Sequence, residues 1–257
     1  MQKPGKKDIH LWLVDERAAQ DAALTSACLA LLNDEEKVRQ RRFLREQHRQ
    51  RFLLGRALLR SVLSGYDGLP AAGDLSFETN AHGKPALTKA LQSSGLQFNL
   101  SHTQGLIALA VVQGKDIGVD VEFLPRKTEI DSLAQRYFSP QEWRELDDLD
   151  GDKRRERFFD LWTLKEAYVK ACGQGLSLSL EEFSFRFEGK RVHIAFSPQR
   201  NDSPERWRFW QLKPSPQHRL AIALCGKDLE SHRVHCRRGL PTRTFLDGPC
   251  EILRSSD

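Results

Sequence analysis

The chain has 257 residues, of which 39% are hydrophobic and 29% are charged, a balance that excludes a disordered protein. This length allows one large domain or two modest ones. The longest apolar run, residues 106–112, is far shorter than the roughly 20 residues of a membrane span. The apolar stretch at residues 9–14 is too short for the core of a signal peptide. We therefore expect a cytoplasmic protein that does not associate with membranes.

The net charge of +5 favours an anionic partner. Charge alone leaves open whether this partner is a nucleic acid, a phosphorylated small molecule or an acidic protein. The five cysteines are widely scattered and form no CxxC pair, so neither a zinc ribbon nor a redox motif is indicated. Reduced thiols are the expectation for such a pattern.

The first half of the chain contains a recognisable helix start after an apolar strand. Asn33 is a capping residue, and the acidic Glu36 follows it three positions on. The predicted elements of this half are a strand at 9–17, a strongly basic helical segment at 37–51, an amphipathic helix at 52–59 and strands at 75–78 and 96–112.

The second half repeats this succession. Ser139 is again a capping residue, with Glu142 three positions on. The predicted elements are a strand at 117–123, a helix that includes 159–166 and strands at 183–187 and 207–225. The repeat predicts an α+β protein with two similar α/β lobes related by pseudo-twofold symmetry.

We expect the N-terminal lobe to span residues 1–113 and the C-terminal lobe to span residues 114–226. Residues 227–257 match neither lobe and are predicted to form a C-terminal extension. The cleft of a duplicated fold is a natural place for a ligand.

Two carboxylates lie close together on the strand at 117–123. Asp120 and Glu122 are two positions apart, so alternation places both on one face of the strand. Because neighbouring like charges repel, ionising both favours a cation between them. The alternative interpretation is an exposed polar face on an edge strand.

The second long helix carries a lysine where its pattern predicts burial. Lys165 shares a face with apolar residues such as Leu161, Tyr168 and Val169, with Glu166 at the edge of that face. A buried ammonium needs an anion. That anion is either a ligand or an internal carboxylate, unless the lysine extends to the surface.

Two segments of the first half add small polar and cationic groups. Residues 98–103 end an apolar strand with a serine and a histidine, and residues 82–85 combine a glycine, a lysine and a proline. Either segment alone also suits an ordinary turn. Most of the charges in the basic segment at 37–51 are expected to face solvent, although one or two suffice to hold a phosphate.

Taken together, these segments resemble the Sfp-type 4′-phosphopantetheinyl transferases, a two-lobed family. The likeness covers roughly residues 8–226, and four motifs in the right order make it specific. The motifs are Gly83-Lys84-Pro85, Phe98-Asn99-Leu100-Ser101-His102, Gly118-Val119-Asp120-Val121-Glu122 and Trp162-Thr163-Leu164-Lys165-Glu166-Ala167, with Lys170 four positions beyond the glutamate.

The resemblance implies a magnesium ion held by Asp120, Glu122 and Glu166, an all-oxygen donor set of the kind that Mg²⁺ prefers. It implies that Lys165 and Lys170 face the pyrophosphate of coenzyme A. Glu142 is implied to position Lys165. The residues implied to hold the adenosine and 3′-phosphate end of coenzyme A are Lys37, Arg39, Arg51, Gly83, Lys84, Pro85, Ser101 and His102.

The implied reaction moves the 4′-phosphopantetheine moiety of coenzyme A to a serine of an apo acyl or peptidyl carrier protein. Glu166 accepts the serine proton, directly or through a metal-bound water. The carrier belongs to fatty acid, polyketide or non-ribosomal peptide biosynthesis. We expect a monomer, with no nucleic acid or membrane partner.

Two other functions suit parts of the pattern. A metal-dependent nuclease or phosphodiesterase also uses clustered carboxylates, and it would hydrolyse nucleic acid. A basic nucleic-acid-binding module would use the segment at 37–51, but it gives no role to three acidic residues that repel phosphates without a metal.

Overall fold

The computed structural model describes residues 1–19 and 21–256 and divides into two compact units. The first unit comprises Met1–Ala81, Pro85–Gly114 and Arg233–Pro249, and the second comprises His82–Lys84, Lys115–His232 and Cys250–Asp257. The main division after Gly114 lies next to the predicted boundary between residues 113 and 114.

Both units combine helices with β-sheet, which confirms the predicted α+β class. The strands are β1 (Asp8–Asp15), β2 (Phe77–Thr79), β3 (Pro85–Leu87), β4 (Leu96–Thr103), β5 (Leu106–Gln113), β6 (Asp116–Phe123), β7 (Phe183–Glu188), β8 (Arg191–Phe196), β9 (Trp207–Ser215), β10 (His218–Cys225), β11 (Arg233–Arg238), β12 (Leu246–Asp247) and β13 (Glu251–Ser255). The α-helices are α1 (Ala22–Leu31), α2 (Asp34–Arg41), α3 (Glu46–Ser64), α4 (Ile130–Tyr137), α5 (Pro140–Asp147) and α6 (Gly151–Cys172). Short 3₁₀ turns lie at Glu16–Ala18, Ala72–Asp74, Lys89–Ser94, Gly175–Ser177, Leu180–Glu182 and Pro204–Arg206.

The first unit packs α3 against a five-stranded sheet of order β12-β11-β1-β5-β4. The buried face of α3 includes Leu54, Ala57 and Leu58, which recur at helical spacing. These side chains join a core with residues of β1 and β5, including Val14 and Leu109. A small hairpin of β2 and β3 accompanies this sheet.

The second unit packs α6 against a six-stranded sheet of order β6-β10-β9-β13-β8-β7. The 22-residue helix ends where Gly173 adopts a left-handed conformation, with φ of 67°. Phe158, Leu161 and Tyr168 of this helix are fully buried in the core of the unit. None of the described helices combines the length and the apolar character needed to cross a bilayer.

Both predicted capping boxes are confirmed. Asn33 and Glu36 exchange side-chain and backbone hydrogen bonds at the start of α2. Ser139 and Glu142 do the same at the start of α5. These local signals were readable because the partners are only three positions apart.

The segment at 37–51, predicted as one basic helix, is divided between α2 and α3. The bend lies at residues 42–45 and contains Phe43, whose ring centroid lies 5.3 Å from that of Phe52. The half-buried ring of Phe43 packs against Phe52 of α3 at this break, which the charge pattern concealed.

The segment predicted as a C-terminal extension, residues 227–257, contributes strands to the sheets of both units. β11 pairs in parallel with β1 in the first unit, and β13 lies between β9 and β8 in the second. Arg254 of β13 also pairs with the buried Asp160 of α6, at 3.0 Å from Nη1 to Oδ2. The tail strands are short and polar, so their sequence shows no strong alternation, although their backbone groups complete both sheets.

Candidate active site

A close contact between β6 and α6 positions the predicted acidic residues. A Cβ added to Gly118 would lie 2.0 Å from the carbonyl oxygen of Ala167 and 2.5 Å from the backbone nitrogen of Ala171. Only glycine permits α6 to lie this close to the strand. No role was predicted for Gly118, although a glycine inside an apolar strand is a signal of close backbone approach.

β6 is an edge strand of its sheet, as the alternative interpretation expected. Asp120 and Glu122 are only 5% and 8% exposed, so the exposed polar face of that interpretation is wrong. Lys170 of α6 places its Nζ 2.6 Å from Oδ1 of Asp120. Burial raises the pKa of Glu166 above its ordinary value, and the negative charge of Asp120 raises it further. The structure thus brings Asp120, Glu166 and Lys170 within one electrostatic neighbourhood.

Glu122 is paired with an arginine that the sequence analysis did not single out. Arg126 Nη2 lies 3.0 Å from Glu122 Oε1, and the guanidinium lies 5.3 Å from the centroid of the Phe159 ring. Arg155 of α6 fixes the connecting loop by donating hydrogen bonds to the carbonyl oxygens of Leu124 and Arg126. The four-residue spacing from Glu122 was the available signal for Arg126.

The donor chemistry of this site fits a divalent cation. Asp120, Glu122 and Glu166 offer only carboxylate oxygens, which Mg²⁺ prefers. Neighbouring carboxylates that are largely shielded from water also favour a bound cation. Within residues 1–19 and 21–256, no group of three or more acidic, histidine or cysteine side chains is already gathered to hold a metal.

Comparison with known proteins identifies the family. Residues 116–225 match the family model described as the 4′-phosphopantetheinyl transferase superfamily, and residues 19–114 match the one described as 4′-phosphopantetheinyl transferase, N-terminal. The phosphopantetheinyl transferase HetI of Nostoc sp. is 36% identical over 85% of this chain and 88% of its own length. The chain belongs to the 4′-phosphopantetheinyl transferase superfamily. The resemblance predicted from four sequence motifs is confirmed.

Two other similarities are more limited in extent. The phosphopantetheinyl transferase Sfp of Bacillus subtilis is 35% identical over 62% of this chain and 67% of its own length. A holo-(acyl-carrier-protein) synthase structure from Bacillus anthracis, in complex with CoA (3′,5′-ADP), is 22% identical with a TM-score of 0.37. It covers 43% of this chain and 94% of its own. A structural likeness at this score supports no further inference.

Lys165 of this phosphopantetheinyl transferase does not face an open ligand site. Its side chain is fully buried, and its ammonium donates to the carbonyl oxygens of Leu180 and Phe183, both at 2.7 Å. Oε2 of Glu142, at 2.9 Å, is the third partner. Burial lowers the pKa of Lys165, and the charge of Glu142 opposes this shift. All three N–H groups are used in this structure, where Lys165 pairs with an internal carboxylate. Its predicted contact with the pyrophosphate stays a prediction.

Glu142 makes structural contacts in the same core, and its predicted catalytic role stays a prediction. It is 0% exposed, accepts the backbone N–H of Ser139 in its capping box and accepts the backbone N–H of Phe185 at 2.9 Å. The predicted contact between Glu142 and Lys165 is present, but the pair holds α5, α6 and β7 together. Because consecutive helix residues point about 100° apart, Lys165 enters this core while Glu166 points towards β6.

Lys84 joins the beginning of β6 to the end of α6. Its Nζ donates to the carbonyl oxygen of Ile117 at 3.2 Å and to that of Ala171 at 3.0 Å. Burial lowers the pKa of Lys84, whereas the charge of Asp116 raises it. Gly83 before it has φ of 83°, a left-handed conformation that favours glycine. The segment thus has a structural contact, and its predicted binding of coenzyme A stays a prediction.

Three further residues predicted to bind coenzyme A belong to the first unit, whereas Gly83 and Lys84 belong to the second. Pro85 begins β3, while Ser101 and His102 lie on β4, where Ser101 is buried and His102 exposed. Alternation along the strand explains why these two neighbours face opposite sides.

The three basic residues assigned to coenzyme A have partners within the first unit. Arg51 forms an ion pair with Glu16, at 3.0 Å from Nη2 to Oε2, and is 17% exposed. Lys37 pairs with Asp34 at 3.3 Å, and Arg39 lies 5.5 Å from the centroid of the Phe52 ring. Arg51 is committed to a carboxylate, so this structure does not support it as a phosphate ligand.

Proposed function

We propose that this protein transfers the 4′-phosphopantetheine moiety of coenzyme A to a serine of an apo acyl or peptidyl carrier protein, using Mg²⁺. The released product is adenosine 3′,5′-bisphosphate. The observation that carries the proposal is the group formed by Asp120, Glu166 and Lys170 at the contact of β6 with α6, in a chain of this superfamily.

The reaction forms one bond and breaks another at a single phosphorus atom. The serine Oγ bonds to the β-phosphorus of coenzyme A, and the bond from that phosphorus to the bridging oxygen breaks. The bridging oxygen leaves with adenosine 3′,5′-bisphosphate, while the serine loses its proton. The protein must therefore supply a proton acceptor and positive charge near the phosphate oxygens.

Glu166 is the proposed proton acceptor. Burial and the charge of Asp120 raise its pKa in the protein without a metal. A bound cation would oppose this shift, so the proton would pass to Glu166 either directly or through a water molecule. Lys170 lies one turn further along the same helix and contributes a cation beside Asp120.

Asp120, Glu122 and Glu166 are the proposed ligands of the metal. When bound, Mg²⁺ supplies positive charge that stabilises the phosphate oxygens and the leaving group. Lys170 and Arg126, which neutralise Asp120 and Glu122 in this structure, are then free to pair with phosphate oxygens.

The proposed coenzyme A contacts follow from the sequence motifs. They comprise Lys37, Arg39, Gly83, Lys84, Pro85, Ser101 and His102. Lys165, Glu142 and Arg51 are left out because each is committed to a structural ion pair.

Intact mass spectrometry of the carrier protein tests the proposal. The purified protein is incubated with an apo carrier protein, coenzyme A and Mg²⁺, and the carrier is expected to gain the mass of one phosphopantetheine. Addition of EDTA is expected to prevent the gain. A carrier whose mass never changes across fatty acid, polyketide and peptide synthesis systems would refute the function, and full transfer in EDTA would refute the metal.

A further inference from the structure

The bend between α2 and α3 holds an apolar side chain in water. Leu44, in the middle of this bend, is 97% exposed, more than any other large hydrophobic side chain whose exposure the structure describes. Burying a leucine side chain is favourable because apolar surface leaves water. The free chain does not gain this stabilisation at Leu44.

The exposure of Leu44 results from a well-anchored backbone. Arg49 Nη2 donates to the carbonyl oxygen of Phe43 at 3.1 Å, and the ring of Phe43 packs beside that of Phe52. The N–H of Phe43 also donates to the carbonyl oxygen of Gln40 at 3.4 Å. With Phe43 fixed inwards, its neighbour is directed outwards in a preorganised position, which lowers the entropy cost of binding.

Positive charge surrounds this leucine. Arg41, Arg42 and Arg45 are exposed, and within the described part of the chain none of them has an ion-pair partner. The one acidic residue close by in sequence, Glu46, pairs with Arg49 at 3.3 Å. We call Arg41, Arg42, Leu44 and Arg45 the basic bend.

We infer that the basic bend is a docking surface for the carrier protein, which meets it with acidic residues around an apolar depression that receives Leu44. The inference rests on the proposed function. Three exposed arginines without an ion-pair partner favour an anionic partner, and opposite charges speed and orient its approach. A phosphate of coenzyme A would satisfy the arginines but leave Leu44 in water, so a protein surface accounts for both features.

Steady-state kinetics with the apo carrier protein and coenzyme A test this inference. The variants are Leu44→Asp, which removes the apolar contact, and Arg42→Glu with Arg45→Glu, which reverses the charge. Each is expected to raise the KM for the carrier by at least about tenfold and to leave kcat and the KM for coenzyme A within about twofold. The charge effect is expected to shrink as ionic strength rises.

The matched control is Lys190→Glu with Arg191→Glu, the same charge change at two exposed residues of the β7–β8 turn. A similar rise in the carrier KM for this control would overturn the inference, because net charge alone would explain the effect. An unchanged carrier KM in the basic-bend variants also overturns it. A raised KM for coenzyme A instead assigns the arginines to the nucleotide.

Direct binding separates this inference from the proposed function. The protein is immobilised, and the apo carrier is titrated by interferometry without coenzyme A. If the wild type binds the carrier and both basic-bend variants lose at least about tenfold in affinity, docking stands even where turnover fails. If light scattering shows that Leu44→Asp converts a dimer to a monomer while carrier binding persists, a second copy occupies the surface and the inference fails. Unchanged melting temperatures establish that the variants are folded.

Discussion

Lys165 and Glu142 form an ion pair that is closed to solvent on every side. Removing one member of such a pair leaves an uncompensated charge in the core, so Lys165→Met is expected to cost about 3–5 kcal/mol of unfolding free energy. Urea denaturation of the purified variant measures this loss.

The double variant Lys165→Met with Glu142→Gln is the control. Glutamine keeps an acceptor for the N–H of Phe185 and carries no charge, so a large part of the lost stability is expected to return. If Lys165→Met kept full stability but lost transfer activity, the lysine would have to act on the substrate.

His10 makes the stability of the first unit sensitive to pH. Burial lowers its pKa to about 4, and the positive charges of Arg237 and His235 act in the same direction, against Asp8. The unfolded chain therefore binds this proton more strongly than the folded protein does. We expect the free energy of unfolding to be highest above about pH 6.5 and to fall as pH drops towards about 4. The expected loss between pH 7 and pH 5 is on the order of 2 kcal/mol.

Chemical denaturation of the wild type and of His10→Gln across this pH range measures the effect. Glutamine cannot bind the proton but retains a group that can pair with the hydroxyl of Tyr66, which lies 2.9 Å from Nδ1 of His10. We expect the variant to lose less stability than the wild type on acidification. Parallel pH profiles would mean that other groups carry the dependence.

At the scale of elements, the contact between β6 and α6 determines the geometry of the acidic group. Gly118→Ala would place a methyl group against the backbone of α6, where neither Ala167 nor Ala171 can move as a side chain does. We expect the helix to shift away from β6, lowering both the unfolding free energy by at least about 2 kcal/mol and the transfer rate. Denaturation and carrier mass spectrometry report the two losses.

Gly73→Ala is the matched control, because nothing lies within 4 Å of a Cβ at that position. It is expected to leave stability and transfer close to wild type. Equal behaviour of the two alanine variants would show that the helix and strand tolerate separation.

Local and periodic signals predicted much of this site. The period of two on β6 placed Asp120 and Glu122 together, and the capping residues located the starts of α2 and α5. Long-range partners were beyond such signals. Whether Lys165 or Glu166 faces the site depends on which side of α6 meets β6, and a pattern of apolar residues on nearly every side leaves that open.

The same limit applies to Arg51 in the first unit. The family resemblance implied that Arg51 holds a phosphate, and its partner in this structure, Glu16, is 35 positions away in the chain. A charge pattern shows that cations are present, whereas only the fold shows which of them already have an anion.

At the scale of the molecule, the strands within residues 233–255 belong to the fold. β11 extends the sheet of the first unit beside β1, and β13 completes the sheet of the second beside β9. Short polar strands of this kind add backbone hydrogen bonds more than apolar burial, which is why composition alone assigned them no place.

The account depends on a divalent cation held by Asp120, Glu122 and Glu166, and a titration with Mn²⁺ followed by electron paramagnetic resonance tests this most directly. We predict a single Mn²⁺ site that Mg²⁺ displaces and that weakens by at least about tenfold in Asp120→Asn and in Glu166→Gln. Equally tight Mn²⁺ binding by both variants and the wild type, or none by the wild type, would contradict it.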